Sequence, residues 1–223
     1  MIEFVFMLTH NDSTVDDALS VVATLRSSGL HYIGFKDVGA TPARQAEITA
    51  AAHAAGMEVM LEVVSTSVAD EEASLRAAVA AGVDWVLGGT NPAVGTSILP
   101  SRVRYCPFPG TVVGHPSVLE GSIESIAAHA KELSSMPGVH GVDLLAYRHA
   151  TADAAELTRA VVEAVDGPVI AAGSVVAAAQ IRALASAGAW GFTIGGAIFE
   201  GLMPGGGAVA EQVVAVLAIA ADA

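Results

Sequence analysis

The 223-residue chain holds two lysines, Lys36 and Lys131. Lys131 falls on the polar side of an amphipathic segment and reads as a solvated surface charge. Lys36 instead follows the apolar run 31–35, which puts an ammonium at the C-terminal end of a strand. There it can neutralise a phosphate or the oxygen of an enediolate, and if desolvated it can form a Schiff base. The structural alternative is an ion pair with Asp37 or Glu62 that stabilises the rim. A buried or rim cation in an acidic chain needs a reason, which favours the site role.

Glu62 lies inside the apolar stretch 57–64. Alternation puts Leu61 and Val63 on one face of a strand and Glu62, with Met60 and Val64, on the other. A carboxylate among apolar residues needs a partner, so Glu62 is either a proton carrier or the structural mate of Lys36. Asp143, in VHGVDLLAYR, shares a strand face with Leu145 and Tyr147 by the same count. It reads equally as an acid–base residue and as a polar contact at a strand start. Arg148 ends that segment, where a planar guanidinium suits a carboxylate or phosphate, or else makes a surface salt bridge. His10 and His115 fall on loops and could bind substrate by hydrogen bonding or proton exchange, although a lone loop histidine commonly does neither. The seven histidines show no HxH or HExxH spacing, so no metal or other cofactor is expected. Cys106 reads as a packed small hydrophobe.

A second feature is the stretch 168–201. A short apolar run meets Gly173-Ser174, an amphipathic segment follows, and a second apolar run meets Gly195-Gly196. Strand, glycine turn and helix, twice over, is a parallel βαβ pattern. Glycines let a ligand approach the backbone, and amides at helix starts attract anions. Two such turns side by side can hold one phosphate, with the Ser174 hydroxyl as a further donor. A simpler reading is that the glycines only permit tight turns; their pairing favours phosphate.

The pair AAGS and IGGAIF resembles the last two strands of the phosphate-binding (β/α)8-barrel superfamily. That group includes ribulose-phosphate 3-epimerase, N-acetylmannosamine-6-phosphate epimerase, 3-keto-gulonate-phosphate decarboxylase and the histidine- and tryptophan-pathway isomerases. The likeness covers the last quarter of the chain and singles out no one family. Ribulose-phosphate epimerases pair histidines and aspartates on early strands as metal ligands. Strand two here has Lys36-Asp37 instead, which counts against that family.

The elements that would position these residues repeat regularly. Helical segments end in glycine at Gly29, Gly56, Gly82 and Gly188, each followed directly by an apolar strand. The first three lie 27 and 26 residues apart and the fourth 106 further on, or four units of similar length. Glycine at the position after a helix takes the left-handed conformation cheaply. About eight such units fit the chain, the number a closed barrel needs. Unit one is strand 3–8 and a helix from about Thr14 capped by Asp12 or Ser13. Unit three is strand 57–64, with Ser65 and Thr66 leading to a helix whose start, Asp70-Glu71-Glu72, favours its dipole. Unit five, strand 103–108, carries a long loop, 109–121, of the kind that covers a barrel ligand. Unit six is strand 139–146.

Composition sets the outer bounds. Hydrophobic residues make up 53% of the chain and mean hydropathy is +0.57, enough for a large core. Long uncharged stretches are broken by glycines, which argues against a membrane span. A net charge of −13 argues against nucleic-acid or anionic-membrane partners. One cysteine and an N-terminus without a basic start fit a cytoplasmic protein. A homo-oligomer is compatible with all of this.

The sequence therefore reads as a single (β/α)8 TIM barrel over residues 1–223. Its expected function is a metal-independent isomerase or epimerase of a small phosphorylated sugar or keto acid. Lys36, Glu62 and Asp143 would be catalytic, His10, His115 and Arg148 would bind substrate, and Gly173, Ser174, Gly195 and Gly196 would bind phosphate. The alternatives are a lyase, aldolase or decarboxylase, using Lys36, and a phospholigand-binding barrel without chemistry.

Overall fold

In a computed structural model, which describes residues 1–65 and 67–223, eight parallel strands form one sheet. Thr66 lies outside the described residues. The strands are β1 (Glu3–Met7), β2 (Tyr32–Lys36), β3 (Glu58–Val63), β4 (Trp85–Gly88), β5 (Arg104–Cys106), β6 (Val142–Leu144), β7 (Val169–Ala171) and β8 (Gly191–Ile194). Pairing runs β6-β7-β8-β1-β2-β3-β4-β5. Two backbone hydrogen bonds, His140 N to Tyr105 O at 2.8 Å and Asp143 N to Pro107 O at 3.0 Å, draw β5 and β6 together. The sheet thus curls into the expected α/β barrel.

The repeated glycines have the expected geometry. Gly29, Gly56, Gly82 and Gly188 have φ of 80°, 81°, 77° and 89°. At the first three a Cβ would meet nothing within 4 Å, so the backbone conformation, not crowding, calls for glycine. Helix starts are equally local. Thr41, Ser67, Ser122 and Asp153 each accept a hydrogen bond from the N–H three residues on. They cap α2 (Pro42–Ala54), α3 (Val68–Ala81), α5 (Ile123–Ser134) and α6 (Ala154–Ala164), each cap contributing about 1 kcal/mol.

The core has two shells. Alternate strand residues such as Phe4, Ile33, Leu61 and Phe192 face the helices, with Phe4 stacked on Phe192 at 5.3 Å. The others fill the barrel, where Val5, Met7, Met60, Trp85, Leu87, Cys106 and Ile170 pack together. Gly34 leaves a gap that Met7 fills, since a Cβ there would come within 2.4 Å of the Met7 sulfur. Trp85 and Trp190, stacked at 5.2 Å beneath the Arg104 guanidinium, plug the N-terminal end. Among the described residues no helix is long and apolar enough to cross a membrane.

Three boundaries differ from the sequence reading. Thr9–His10 pairs antiparallel with Ser13–Thr14, so the first helix, α1 (Ala18–Thr24), begins at Ala18 rather than near Thr14, and Asp12 caps nothing. Strand β6 ends at Leu144 and a 3-10 turn, Ala146–Arg148, replaces the expected extension. The loop after β5 is ordered as a second hairpin, Thr111–Val113 with Val118–Glu120.

Candidate active site

The short first hairpin decides how the C-terminal face of the barrel is charged. Thr14 is buried, and its hydroxyl both donates to Lys36 O and accepts from Lys36 N, each at 2.9 Å. This clamps the hairpin to the end of β2. At its tip Asn11 and Asp12 have φ of 50° and 58°, a turn that short polar side chains tolerate. The turn aims the Asp12 carboxylate into the barrel mouth.

Asp12 there meets both cations of the site. Lys36 Nζ lies 2.5 Å from Asp12 Oδ1, and Arg148 donates two parallel bonds to the same carboxylate, at 2.7 and 2.8 Å. Burial alone would raise the Asp12 carboxyl. The hydrogen bonds from Arg148 and Lys36 more than offset it and hold Asp12 well below the usual carboxylate range. Arg148 reaches this position because the 3-10 turn folds it back over the barrel instead of extending the strand. It also donates to Ser117 O at 3.3 Å and lies against Gly173, where a Cβ would come within 2.4 Å of its Nε.

Lys36 is 5% exposed and its second partner is Glu62, whose Oε2 lies 3.7 Å from Nζ. The two are register neighbours across β2 and β3, as strand alternation predicts. Asp37 points elsewhere. It accepts from Val64 N at 3.0 Å, from Ser74 at 2.8 Å and from Ser65, and so ties β2 to α3.

Asp143 is fully buried, and among the described residues neither of its carboxyl oxygens has a hydrogen-bond partner. Burial pushes its pKa well above the ordinary carboxylate value and the Glu62 charge adds to this, while Lys36 and Arg148 offset part of it. Both effects favour the protonated form of Asp143 beside Glu62 and Lys36.

A cavity of about 380 Å³ opens above these groups. Lys36, Glu62 and Arg148 line it together with Gly173, Ser174, Gly195 and Gly196. Seven of the ten residues singled out from sequence thus meet in one cavity, and Asp143 lies behind the charged wall. Gly173 and Ser174 have φ of 78° and 59°, which turns the chain sharply at the cavity edge. The glycines of the β8 turn differ from each other. A Cβ on Gly195 would meet Thr9 Oγ1 at 2.4 Å and Met7 O at 2.9 Å, so its bareness is needed for packing. Gly196 has no neighbour closer than Glu200 Oε1 at 4.0 Å and leaves open room.

The histidines lie outside the cavity lining. His10 stands at the rim, its Nε2 3.4 Å from Glu200 Oε1. His115 is exposed and lines a separate surface groove with Ser65 and Ser74, while its neighbour Pro116 faces the main cavity. Among the described residues no group of three or more His, Cys, Asp or Glu side chains is arranged to hold a metal ion.

Sequence reading missed Asp12 as a site residue. The available signal was an Asn-Asp pair, tolerant of the left-handed region, a few residues after β1. It also read Glu71 only as part of a helix-start cluster that favours the dipole. Glu71 is instead buried and accepts from Thr90 N, Asn91 N and Asn91 Nδ2, fixing the turn after β4.

No protein-family model and no curated protein matches this sequence. Solved structures do match in fold. Orotidine 5'-phosphate decarboxylase from Pyrococcus horikoshii superposes with a TM-score of 0.66 at 14% identity, covering 95% of this chain and 97% of its own. A native KDPGal structure gives 0.67 at 15%, covering 98% and 94%. A mutant tryptophan synthase alpha-subunit from Pyrococcus furiosus gives 0.68 at 13%, covering 99% and 98%. At these identities the likeness establishes the (β/α)8 barrel.

Proposed function

We propose that this protein is an enzyme that cleaves a carbon–carbon bond in a small phosphorylated carbonyl compound. The observation that carries the proposal is the meeting, in one cavity, of two glycine turns and a lysine flanked by carboxylates, with Asp143, whose burial favours its protonated form, behind it. The turns at Gly173-Ser174 and Gly195-Gly196 would hold the phosphate, the usual place for one in such barrels.

Lys36 sits between Asp12 and Glu62, an arrangement that suits a fixed positive charge better than the free amine a Schiff base requires. Its role is then to stabilise an enediolate oxygen. As the bond breaks, its electron pair stays on the carbon next to the carbonyl and passes to that oxygen. Glu62 takes the hydroxyl proton in an aldol-type cleavage, and Asp143 returns a proton to the carbon. In a decarboxylation only the second transfer is needed.

Orotidine 5'-phosphate decarboxylase, named among the fold matches, is by its name a decarboxylase of a phosphorylated substrate, which supports a lyase over the isomerase the sequence suggests. One carboxyl holding a proton and one tied to Lys36 also suit a single protonation better than a two-base exchange. The two carboxyls still keep isomerisation or epimerisation as a second reading, because each could serve one face of an enediolate.

The test is a thermal-shift panel of phosphorylated sugars and keto acids, followed by product analysis in deuterated water. Cleavage fragments carrying one solvent deuteron are expected. Exchange without cleavage would favour the isomerase. A stabilising ligand that undergoes neither would leave a binding protein. Borohydride should trap no adduct on Lys36, and a trapped one would restore the Schiff-base mechanism.

A further inference from the structure

Glu200 is poorly placed for a protein that binds phosphate. It follows the short helix after β8, lines the cavity, and puts Oε1 4.0 Å from where a Cβ on Gly196 would stand. A carboxylate at that point repels a dianion held by the Gly195-Gly196 turn. Its partner is an imidazole: His10 Nε2 lies 3.4 Å from Oε1, both side chains are partly exposed, and the His10 ring lies 6.3 Å from Phe199.

The charge balance makes this pair matter. Lys36 and Arg148 bring two positive charges to the cavity, while Asp12, Glu62 and Glu200 bring three negative ones. Asp143 is fully buried and does not line the cavity. With His10 neutral the site is therefore negative before any ligand enters, and with His10 protonated it is balanced. His10 faces Glu200 across the rim and Asn11 beside it, and Asp12, Lys36, Glu62 and Arg148 are the other charged groups lining the cavity.

We propose that Glu200 and His10 form an electrostatic filter on the phosphate cradle. The carboxylate weakens binding of a dianionic group, and a proton on the imidazole 3.4 Å away relieves that repulsion, so the dianion binds more tightly at lower pH. The inference rests on the phosphate reading of the two glycine turns and adds its regulation.

Inorganic sulfate is the probe, because it stays a dianion where phosphate itself titrates. Calorimetric affinities would be measured at about pH 6 and about pH 8. Wild type should bind sulfate about tenfold more tightly at the lower pH. Glu200→Gln should bind tightly at both, and so should Glu200→Ala, which introduces no new amide donor. His10→Gln should bind weakly at both.

Sulfate bound alike by wild type and both Glu200 variants, yet lost in Gly196→Ala, would overturn the filter and leave the cradle standing. Sulfate bound by none of the proteins would overturn the phosphate reading and the filter with it.

Discussion

Asp12 and Arg148, 136 residues apart in the chain, are joined by two parallel hydrogen bonds of 2.7 and 2.8 Å. The same carboxylate holds Lys36, so one side chain fixes the two cations of the cavity. All three side chains are well shielded, with exposures of 10%, 17% and 6% for Asp12, Arg148 and Lys36.

Asp12→Ala should therefore be costly, because it strands two shielded cations. A loss of about 3 kcal/mol is expected, or a fall of roughly 10 °C in Tm. The pH dependence has a definite sign. The folded carboxyl titrates below its ordinary value, so its stabilisation is complete above about pH 4 and is lost as pH falls below that. Asp12→Asn should show a shallower acid limb than wild type in urea or thermal melts. Parallel acid limbs would mean that the pair contributes nothing to stability.

Asp143 gives the opposite sign. Its folded pKa is raised, so the folded state keeps a proton that the unfolded chain releases near pH 4. The associated stability is fully present below that pH and declines as pH rises toward the folded value. In Asp143→Asn this decline is absent, so the variant's Tm should gain on wild type steadily from about pH 4 upward. Infrared difference spectra offer a direct check. Wild type at neutral pH should show the carbonyl band of a protonated carboxylic acid, and Asp143→Asn should lack it. An ionised Asp143 at neutral pH would remove the proposed proton donor.

The barrel was legible because its signals are local. A left-handed glycine after a helix is dictated by backbone sterics, and Gly29, Gly56 and Gly82 carry that signal wherever their neighbours lie. Lys36 and Glu62 were legible as a pair because adjacent parallel strands put equivalent positions together. Alternation stopped being a guide at Leu144, where the strand gives way to a 3-10 turn. Tyr147 accordingly packs among the outer hydrophobic clusters instead of sharing a face with Asp143. Asp12 was hidden for a related reason. Its role depends on a two-residue hairpin clamped by Thr14, which no period in the sequence announces. Nothing near His115 indicates which side of its hairpin it faces.

Lys36→Met separates chemistry from folding. Asp12 keeps Arg148, so the variant should fold, with a Tm lowered by a few degrees, roughly 1–2 kcal/mol. Turnover of the substrate found in the ligand panel should fall by about a hundredfold or more, the scale of one oxyanion-stabilising group. Lys36→Arg should not restore it, because a forked guanidinium does not reproduce a compact ammonium between Asp12 and Glu62. Full turnover in Lys36→Met would make Lys36 a rim support only.

The two glycines of the β8 turn should respond differently to the same methyl group. In Gly195→Ala the new Cβ would lie 2.4 Å from Thr9 Oγ1, 2.7 Å from Thr9 O and 2.9 Å from Met7 O. Two of those atoms are backbone carbonyls, one at the end of β1 and one in the hairpin that follows, and cannot yield without moving the chain, so a loss of about 2–3 kcal/mol is expected. In Gly196→Ala the nearest atom is 4.0 Å away, and the fold should be unaffected. That methyl instead enters the cavity where the phosphate would sit, so sulfate affinity should drop by about tenfold or more while the melting curve stays in place. Equal melting curves for the two variants would contradict the packing role of Gly195, and unchanged sulfate binding in Gly196→Ala would place the anion elsewhere.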